Sequence, residues 1–323
     1  MELIPFDLKL ETHHAAAAAL WTAACGPDLA ITPAFVAFNT RFTTGVSQAG
    51  QLVLEDEQPG GEPVGFVLAS ATTGDPTYKL GWIDALAVSP AAQRKGYGSA
   101  LLAWAETWLE AHGARQIRSG GSLRPFTPGL LTGPGSAPYE FFAHQGYIEE
   151  GIEWDVASDL IAYPDPPLPP GAPILRPVET EADRAALFEL LSREFPGRWA
   201  FECQEFFREG GRPSDWMLLW PVDAEKPAGF CQLTLEDSLR PIERFYPHRL
   251  PHPWGQFGPL GVAASARGKG YGAAVVDGAA RHLKHLGVRG CIIDWTSLTD
   301  FYGKFGFTPY RQYHVVVKEL LSE

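Results

Sequence analysis

Two stretches of this chain, "QRKGYGSA" at residues 93–100 and "RGKGYGAA" at 267–274, combine glycine with basic residues in a way suited to holding phosphate. A glycine turn that opens a helix presents unpaired backbone N–H groups at the positive end of the helix dipole, where an anion binds well. Glycine also lets the backbone approach the anion without an intervening Cβ. A nucleoside-triphosphate loop would need Gly-Lys followed by Ser or Thr, but Gly268-Lys269 is followed by Gly270. The dinucleotide fingerprint G-x-G-x-x-G/A is met by Gly268, Gly270 and Ala273, yet the earlier stretch breaks it with Arg94 in place of the first glycine. Both stretches share Q/R-x-x-G-x-G: Gln93, Gly96 and Gly98, then Arg267, Gly270 and Gly272.

The elements that would position these turns are readable on either side. A strand-like "WIDALAV" (82–88) enters the first turn and "FGPLGV" (257–262) the second. Leu101, Leu102, Ala105 and Leu109 then recur at helical spacing, as do Val275, Val276, Ala279 and Leu283. Gly113 and Gly287 stand where C-terminal helix caps belong, and strands "QIRSG" and "CIIDWTS" follow. An offset of 174 (270 − 96) maps Gly96 to Gly270, Leu86 to Leu260, Val88 to Val262 and Arg115 to Arg289 without a gap. The chain therefore contains an internal duplication. Further strands are expected at "WMLLWPV" and "AGFCQLTLED", with a helix at "TEADRAALFELLSREF" before them. Each half reads as an α/β domain on a mixed sheet. The proline-rich "YPDPPLPPGAP" predicts a semi-rigid linker at 163–173 between domains at 1–162 and 174–323.

The shared loop resembles the acyl-CoA pyrophosphate loop of the GNAT superfamily of N-acetyltransferases, and the resemblance covers both halves. It implies two GNAT-like domains in tandem, with acetyl-CoA as acyl donor. Carried over by position, Arg267, Gly268, Lys269, Gly270, Tyr271, Gly272 and Ala273 would hold the pyrophosphate. Leu260, Gly261 and Val262 would line the pantetheine arm, with backbone N–H groups around Val262 stabilising the oxyanion. The first half offers Leu86, Val88, Gln93, Arg94, Lys95, Gly96, Gly98 and Ser99 as counterparts. A second family motif, an aromatic pair, three residues, then Gly-aromatic, is matched by "FYGKFGF" (301–307) and "FFAHQGY" (141–147). In the family the second aromatic is often a tyrosine that protonates the departing thiolate, a role the resemblance assigns to Tyr302. Phe142 has no proton to give, so the first half is expected to be catalytically weakened while still able to bind acyl-CoA. The arrangement is similar to that of mycothiol synthases, tandem members whose C-terminal half does the chemistry.

The general base is less direct. The family often uses a carboxylate on the fourth strand; Asp84 lies there in the first half, but its counterpart is Gly258 (84 + 174). Glu236 and Asp294 are the candidate substitutes, with Asp237 and His252 behind them. The family's frequent Asn before the aromatic motif is missing, with Trp295 near its place. Trp254 and Phe257 read either as an acceptor pocket or as core. The insertion "LRPFTPGLLTGPGSAP" in the first half reads as a lid, an interface element or decoration.

A net charge of −12 without a basic run argues against nucleic acid or an anionic membrane as partner. No apolar run approaches the ~20 residues of a membrane span. "MELIPFDLKL" lacks the pattern of a signal peptide, so a cytoplasmic location is expected. Cys25, Cys203, Cys231 and Cys291 are far apart, which predicts neither a zinc site nor a disulfide framework, and no metal is expected. The expected partner is a small-molecule or peptide amine, with the acidic chain favouring a cationic one. Oligomeric state is not readable, and tandem domains are compatible with a monomer. The rival reading is a non-catalytic acyl-CoA-binding or regulatory protein on a degenerate tandem scaffold.

Overall fold

Capping side chains, proline and glycine set where the helices begin in the computed structural model, which describes residues 1–55, 61–72 and 80–320. One compact unit comprises Met1–Glu153 with Arg311–Glu323, the other Trp154–Tyr310. The chain runs through β1 (Glu2–Pro5), α1 (Glu11–Cys25), α2 (Pro33–Asn39), β2 (Val46–Leu54), β3 (Pro63–Thr72), β4 (Leu80–Val88), α3 (Tyr97–Ala111), β5 (Gln116–Ser119) and α4 (Ala137–His144). It continues through β6 (Ile148–Asp159), β7 (Ile174–Pro177), α5 (Glu181–Glu194), α6 (Arg198–Arg208), β8 (Trp216–Trp220) and β9 (Gly229–Leu235). Then come β10 (Trp254–Val262), α7 (Tyr271–His285), β11 (Gly290–Thr296), α8 (Thr299–Gly303) and β12 (Thr308–Glu319).

In the first unit the strand order is β1-β2-β3-β4-β5-β12, antiparallel except for the β4–β5 pair that α3 connects. Thr32 caps α2 by accepting from the Phe35 N–H, with Pro33 fixing the first turn. Leu101, Leu102, Ala105 and Leu109 of α3 are buried against Val67, Ile83 and Ile117, as the helical spacing predicts. Each such side chain withdrawn from water contributes about 1.5–3 kcal/mol.

In the second unit the order is β6-β11-β10-β9-β8-β7, with the one parallel pair, β10–β11, connected by α7. A capping box starts α5: Thr180 accepts from Asp183 N, and Asp183 accepts from Thr180 N. Val275, Val276, Ala279 and Leu283 of α7 are buried against Met217, Cys231 and Ile293. The duplication extends to a close approach that composition does not reveal. A Cβ on Gly81 would lie 2.8 Å from Leu109 of α3, and one on Gly255 (81 + 174) 2.9 Å from Val288. Glycine at this point of the fourth strand lets the crossover segment pack onto it.

The units do not follow the expected boundary at 162 and 174. Each unit takes a strand from the opposite half of the chain: Trp154–Asp159 of β6 pairs with β11, and Val316–Glu319 of β12 pairs with β5. The proline-rich segment is not a free spacer either. Tyr163 is buried and donates from its hydroxyl to Asp277 Oδ1 at 3.1 Å, while Asp165 pairs with Arg281 at 3.0 Å and His285 at 2.6 Å. Those partners all lie on α7, so the segment belongs to the second unit.

Candidate active site

In each unit the fourth strand breaks its register at the same place. The β3–β4 ladder slips between Ile83 and Ala85, which leaves Asp84 as the extra residue of a bulge. The β9–β10 ladder slips between Phe257 and Leu260, around Gly258 and Pro259. Past the bulge the parallel neighbour is lost: β4 pairs with β5 over Leu80–Ile83, and β10 with β11 over Trp254–Gln256. Leu86, Val88, Leu260, Gly261 and Val262 lie beyond those pairs, on stretches that have no parallel partner among the described residues. Backbone donors and acceptors facing such a gap can pair with an extended amide-containing ligand.

Both glycine turns take the geometry of an anion cradle. Gly96 and Gly270 are the N-cap residues of α3 and α7, left-handed at φ +88° and +78°, and neither helix start has a side-chain cap. A Cβ at either glycine would meet no described atom within 4 Å beyond its chain neighbours, so that side of each turn is open. These features fit a pyrophosphate, with Gly98, Ser99, Tyr271, Gly272 and Ala273 forming the first turns. The basic side chains differ. Lys95 is held by Glu55 at 2.6 Å and Gln93 donates to the Val88 carbonyl at 3.1 Å, whereas Arg267 and Lys269 form no ion pair among the described residues. The second loop therefore has more charge to offer.

Tyr302 stands on α8 and is buried, in contact with the core of the second unit. Burial pushes its phenol above the ordinary range, as do the nearby Cys231 and Asp294, and a hydrogen bond with Thr296 opposes the shift. A phenol held this way keeps its proton at neutral pH. Asp294 on β11 accepts from Gln256 Nε2 at 2.6 Å, and its Oδ1 is 3.1 Å from the point a Gly258 Cβ would occupy. Tyr302, Asp294 and the bulge are thus brought together.

Glu236 is elsewhere. It accepts from the Trp254 N–H at 2.8 Å and pairs with His252 at 3.0 Å, at the opposite end of β10 from the bulge. Trp254 to Gly258 is four residues, about 13 Å of strand. Asp237 is engaged by Arg212 at 2.6 Å. Phe257 is fully buried and packs edge-on against Phe307, so it is core and not pocket lining.

Two arginines near the bulge escaped the sequence reading. Arg240 is buried and donates to Thr234 Oγ1, to Gln256 Oε1 at 2.8 Å and to the Gly258 carbonyl at 3.0 Å. It fixes both the bulge and the glutamine that holds Asp294. Arg244, four residues later, lies 5.4 Å from the Phe245 ring centroid. The signal available in the sequence was their spacing in "RPIER" just ahead of the fourth strand.

The first unit presents another picture. Asp84 is buried, accepts from Ser70 Oγ at 2.9 Å and Gln48 Nε2 at 3.3 Å, and is pushed up to about 6 by burial against the opposing bonds of Ser122, Ser70 and Gln48. Phe142 fills the place of the tyrosine, packed on Tyr147 at 5.1 Å. The insertion is anchored. Phe126 is buried against Trp21 of α1 and Phe35 of α2 at 5.5 and 5.1 Å, Asn39 donates to the Pro125 carbonyl at 3.2 Å, and Arg124 donates to Thr43 at 2.6 Å. Among the described residues no cluster of three or more ligand-type side chains could hold a metal, and no helix is long and apolar enough to cross a membrane.

The model of the acetyltransferase (GNAT) family matches residues 19–120 and 184–307. Among solved structures the chain is similar to a GCN5-related glucosamine N-acetyltransferase region of a fungal multi-domain GH3 β-N-acetylglucosaminidase, at TM-score 0.83 and 22% identity. That match covers 98% of this chain and 38% of the fungal protein, so the chain spans well under half of that relative's length. It is also similar to a tandem GNAT protein from the clavulanic acid biosynthesis pathway (TM-score 0.70, 17% identity, 100% of this chain and 99% of the other). A GCN5-related N-acetyltransferase from Sphaerobacter thermophilus follows at TM-score 0.66 and 19% identity, covering 98% and 95% of the two chains. No curated protein matches.

Proposed function

The chain belongs to the acetyltransferase (GNAT) family as two such domains in tandem, an acyl-CoA-dependent N-acyltransferase, and we propose that its second unit moves the acetyl group of acetyl-CoA onto a primary amine of a small molecule or peptide. Acetyl-CoA supplies the activated thioester; the remaining work falls to side chains and backbone of residues 174–310. Arg267, Lys269 and the N–H groups from Gly268 to Ala273 bind the pyrophosphate. The open edge of Leu260–Val262 orients the pantetheine amides and places backbone donors at the thioester oxygen, a contribution of about 3–4 kcal/mol in acyl transfer. Asp294 takes the proton that the amine must lose, directly or through one water, and Tyr302 gives its proton to the departing sulfur. Nitrogen forms the new bond to carbon as the carbon–sulfur bond breaks, so no side-chain nucleophile is needed.

The observation that carries this reading is the convergence of Tyr302, Asp294 and the unpaired stretch of β10 at one bulge. The fungal neighbour's description as a glucosamine N-acetyltransferase supports an amino group as acceptor. The first unit, with Phe142 in the place of the tyrosine and Lys95 committed to Glu55, is assigned no acetyl transfer. Domain limits of 1–162 and 174–323 remain the limits of the two duplicated sequences, while a cytoplasmic location is the reading that suits a CoA-dependent enzyme.

The test is release of CoA thiol from acetyl-CoA across a panel of primary amines, alongside calorimetric titration of acetyl-CoA. Turnover with at least one amine, lost in Tyr302→Phe at unchanged acetyl-CoA affinity, is the expected result. Binding without turnover for every amine would favour the regulatory reading, and absence of binding would remove both.

A further inference from the structure

We propose that the acceptor of the second unit carries an anionic oxygen group, a carboxylate or a phosphate, besides its amine, and that Arg244 binds it. This rests on the acetyltransferase reading for the location of the site, and goes beyond it in naming the acceptor's charge.

The charged groups near enough to act on Arg244 are Arg240, Asp294, Glu202 and Arg198, and Arg240 and Arg244 both lie over the Phe245 ring, at 5.0 and 5.4 Å. Three guanidiniums against these two carboxylates leave one positive charge, since Asp215, which also acts on Arg240, is paired with Arg212 at 3.0 Å. Two of the arginines are committed. Arg198 donates to Glu202 Oε1 at 2.7 Å and lies over the Trp295 ring at 4.5 Å. Arg240 donates to Thr234, Gln256 and the Gly258 carbonyl.

Arg244 is the remaining one. It is half-buried, and its guanidinium has no hydrogen-bond or ion-pair partner among the described residues, only the face of Phe245. Burial, with Arg240 beside it, brings the guanidinium down to about 9. Keeping five unmet donors in a partly dry place is costly unless something arrives to accept them. A carboxylate or phosphate suits the fork of a guanidinium, which can donate two parallel bonds to it. Asp294, by contrast, suits an amine.

An acceptor with both groups would bridge the two, its amine at Asp294 beside the bulge and its anion at Arg244. The acidic chain as a whole favours a cation, but exposed charges more than about 10 Å away are largely screened. The nearby groups therefore decide, and they favour a ligand that is cationic at one end and anionic at the other.

Matched pairs that differ in the anion test this. Glucosamine and glucosamine 6-phosphate form the phosphate arm; alaninamide and alanine form the carboxylate arm. Each is titrated into wild type, Arg244→Gln and Arg244→Lys, with and without saturating CoA, after acetyl-CoA affinity has been measured. The anionic member of one pair is expected to bind about tenfold or more tighter in wild type, and the arm that shows it identifies the anion. Arg244→Gln should abolish the preference, and Arg244→Lys should retain part of it. Because the Arg244 guanidinium makes no hydrogen bond among the described residues, unchanged thermal unfolding should accompany both substitutions. Equal affinity within both pairs, no binding of any member, or a preference that survives Arg244→Gln would overturn the proposal. Loss of acetyl-CoA binding would instead count against the transferase reading, while the titrations without CoA would still report on Arg244.

Discussion

Asp294 and Gly258 form a spatial substitute for the single residue Asp84. In the first unit the bulge of the fourth strand carries its own carboxylate, Asp84. In the second unit the equivalent residue is Gly258, and Asp294 from the neighbouring strand places its Oδ1 3.1 Å from the Cβ position that glycine leaves empty. Gln256 Nε2 holds Asp294 there at 2.6 Å, and Arg240 holds Gln256. A side chain on residue 258 would collide with this arrangement, so the glycine and the aspartate belong together.

Asp294→Asn keeps the size of the side chain and an oxygen for Gln256 while removing proton acceptance. Its kcat/KM for the amine should fall by about 10²–10³-fold with acetyl-CoA affinity unchanged. Glu236→Gln should leave kcat/KM within about threefold, since Glu236 is engaged with Trp254 and His252 at the far end of the strand. Reversal of these two effects, in steady-state thiol-release assays, would move the base to Glu236.

Tyr302→Phe should lower kcat by about 10²-fold or more. The pH profile gives a second check. A general acid works while protonated, and the upward shift of Tyr302 extends that state to higher pH. The wild-type rate should therefore show no alkaline fall from this group between pH 7 and 9.5, within the ordinary tyrosine range near 10. A fall centred near pH 8 that vanishes in Tyr302→Phe would show that the phenol is not held up as its burial implies.

Gly270→Glu sets a carboxylate where the pyrophosphate belongs, and should abolish acetyl-CoA binding. Gly96→Glu should leave the affinity of the second unit unchanged, whatever it does to the first. Both residues are left-handed, so each variant carries a similar strain of about 1–2 kcal/mol and controls for the other. Calorimetric stoichiometry reads the outcome. Two sites in wild type, with one lost per variant, would show that Lys95 and its Glu55 partner still admit cofactor.

Much of this was readable before any coordinates, and the physical reason differs from element to element. The duplicated loop declares itself because a left-handed N-cap residue and an open approach both require glycine, and those requirements recur at Gly96 and Gly270. Tyr302 follows from a local motif. The source of the carboxylate at the bulge does not, because Asp294 and Gly258 are neighbours only across the splayed strands. Arg240 and Arg244 sit in a loop whose composition resembles any surface turn. The insertion around Phe126 reads as a lid, an interface element or decoration from its glycine and proline content, and one buried phenylalanine and two polar anchors hold it down.

Asp84 offers a stability test independent of catalysis. Its folded value of about 6 lies above the ordinary carboxylate value of 3.8, so the folded protein holds a proton that the unfolded chain releases. Stability from this group is full below about pH 4 and is lost as pH rises through 6, by up to about 3 kcal/mol for a shift near two units. Asp84→Asn should flatten that slope, so that the gap in unfolding midpoint between variant and wild type moves in favour of the variant from pH 4.5 to 7.5. A gap that stays constant over this range would mean that Asp84 ionises normally in the fold.

The last strand should matter most to the unit that begins the chain. Val316 is buried and pairs with Ser119 of β5, Leu320 donates its N–H to the Arg115 carbonyl, and Lys318 pairs with Glu106 of α3 at 2.8 Å. Residues nearly two hundred positions apart therefore complete one sheet, and Val316 belongs to the core of α3 and β3. Val316→Asp buries an unpaired carboxylate in that core, a change that costs several kcal/mol. The damage should appear in the first unit although the substitution lies at the end of the chain. Hydrogen exchange can locate it: amides of Ile117–Ser119 should lose protection, while those of Cys291–Ile293, whose partners are on β6, should keep theirs. Loss of protection confined to β11 would mean that the terminal strand completes the second unit instead. Acetyl-CoA binding by the variant should persist, since the loop at Gly270 and the strand at Leu260–Val262 rest on a core drawn from residues 156–307.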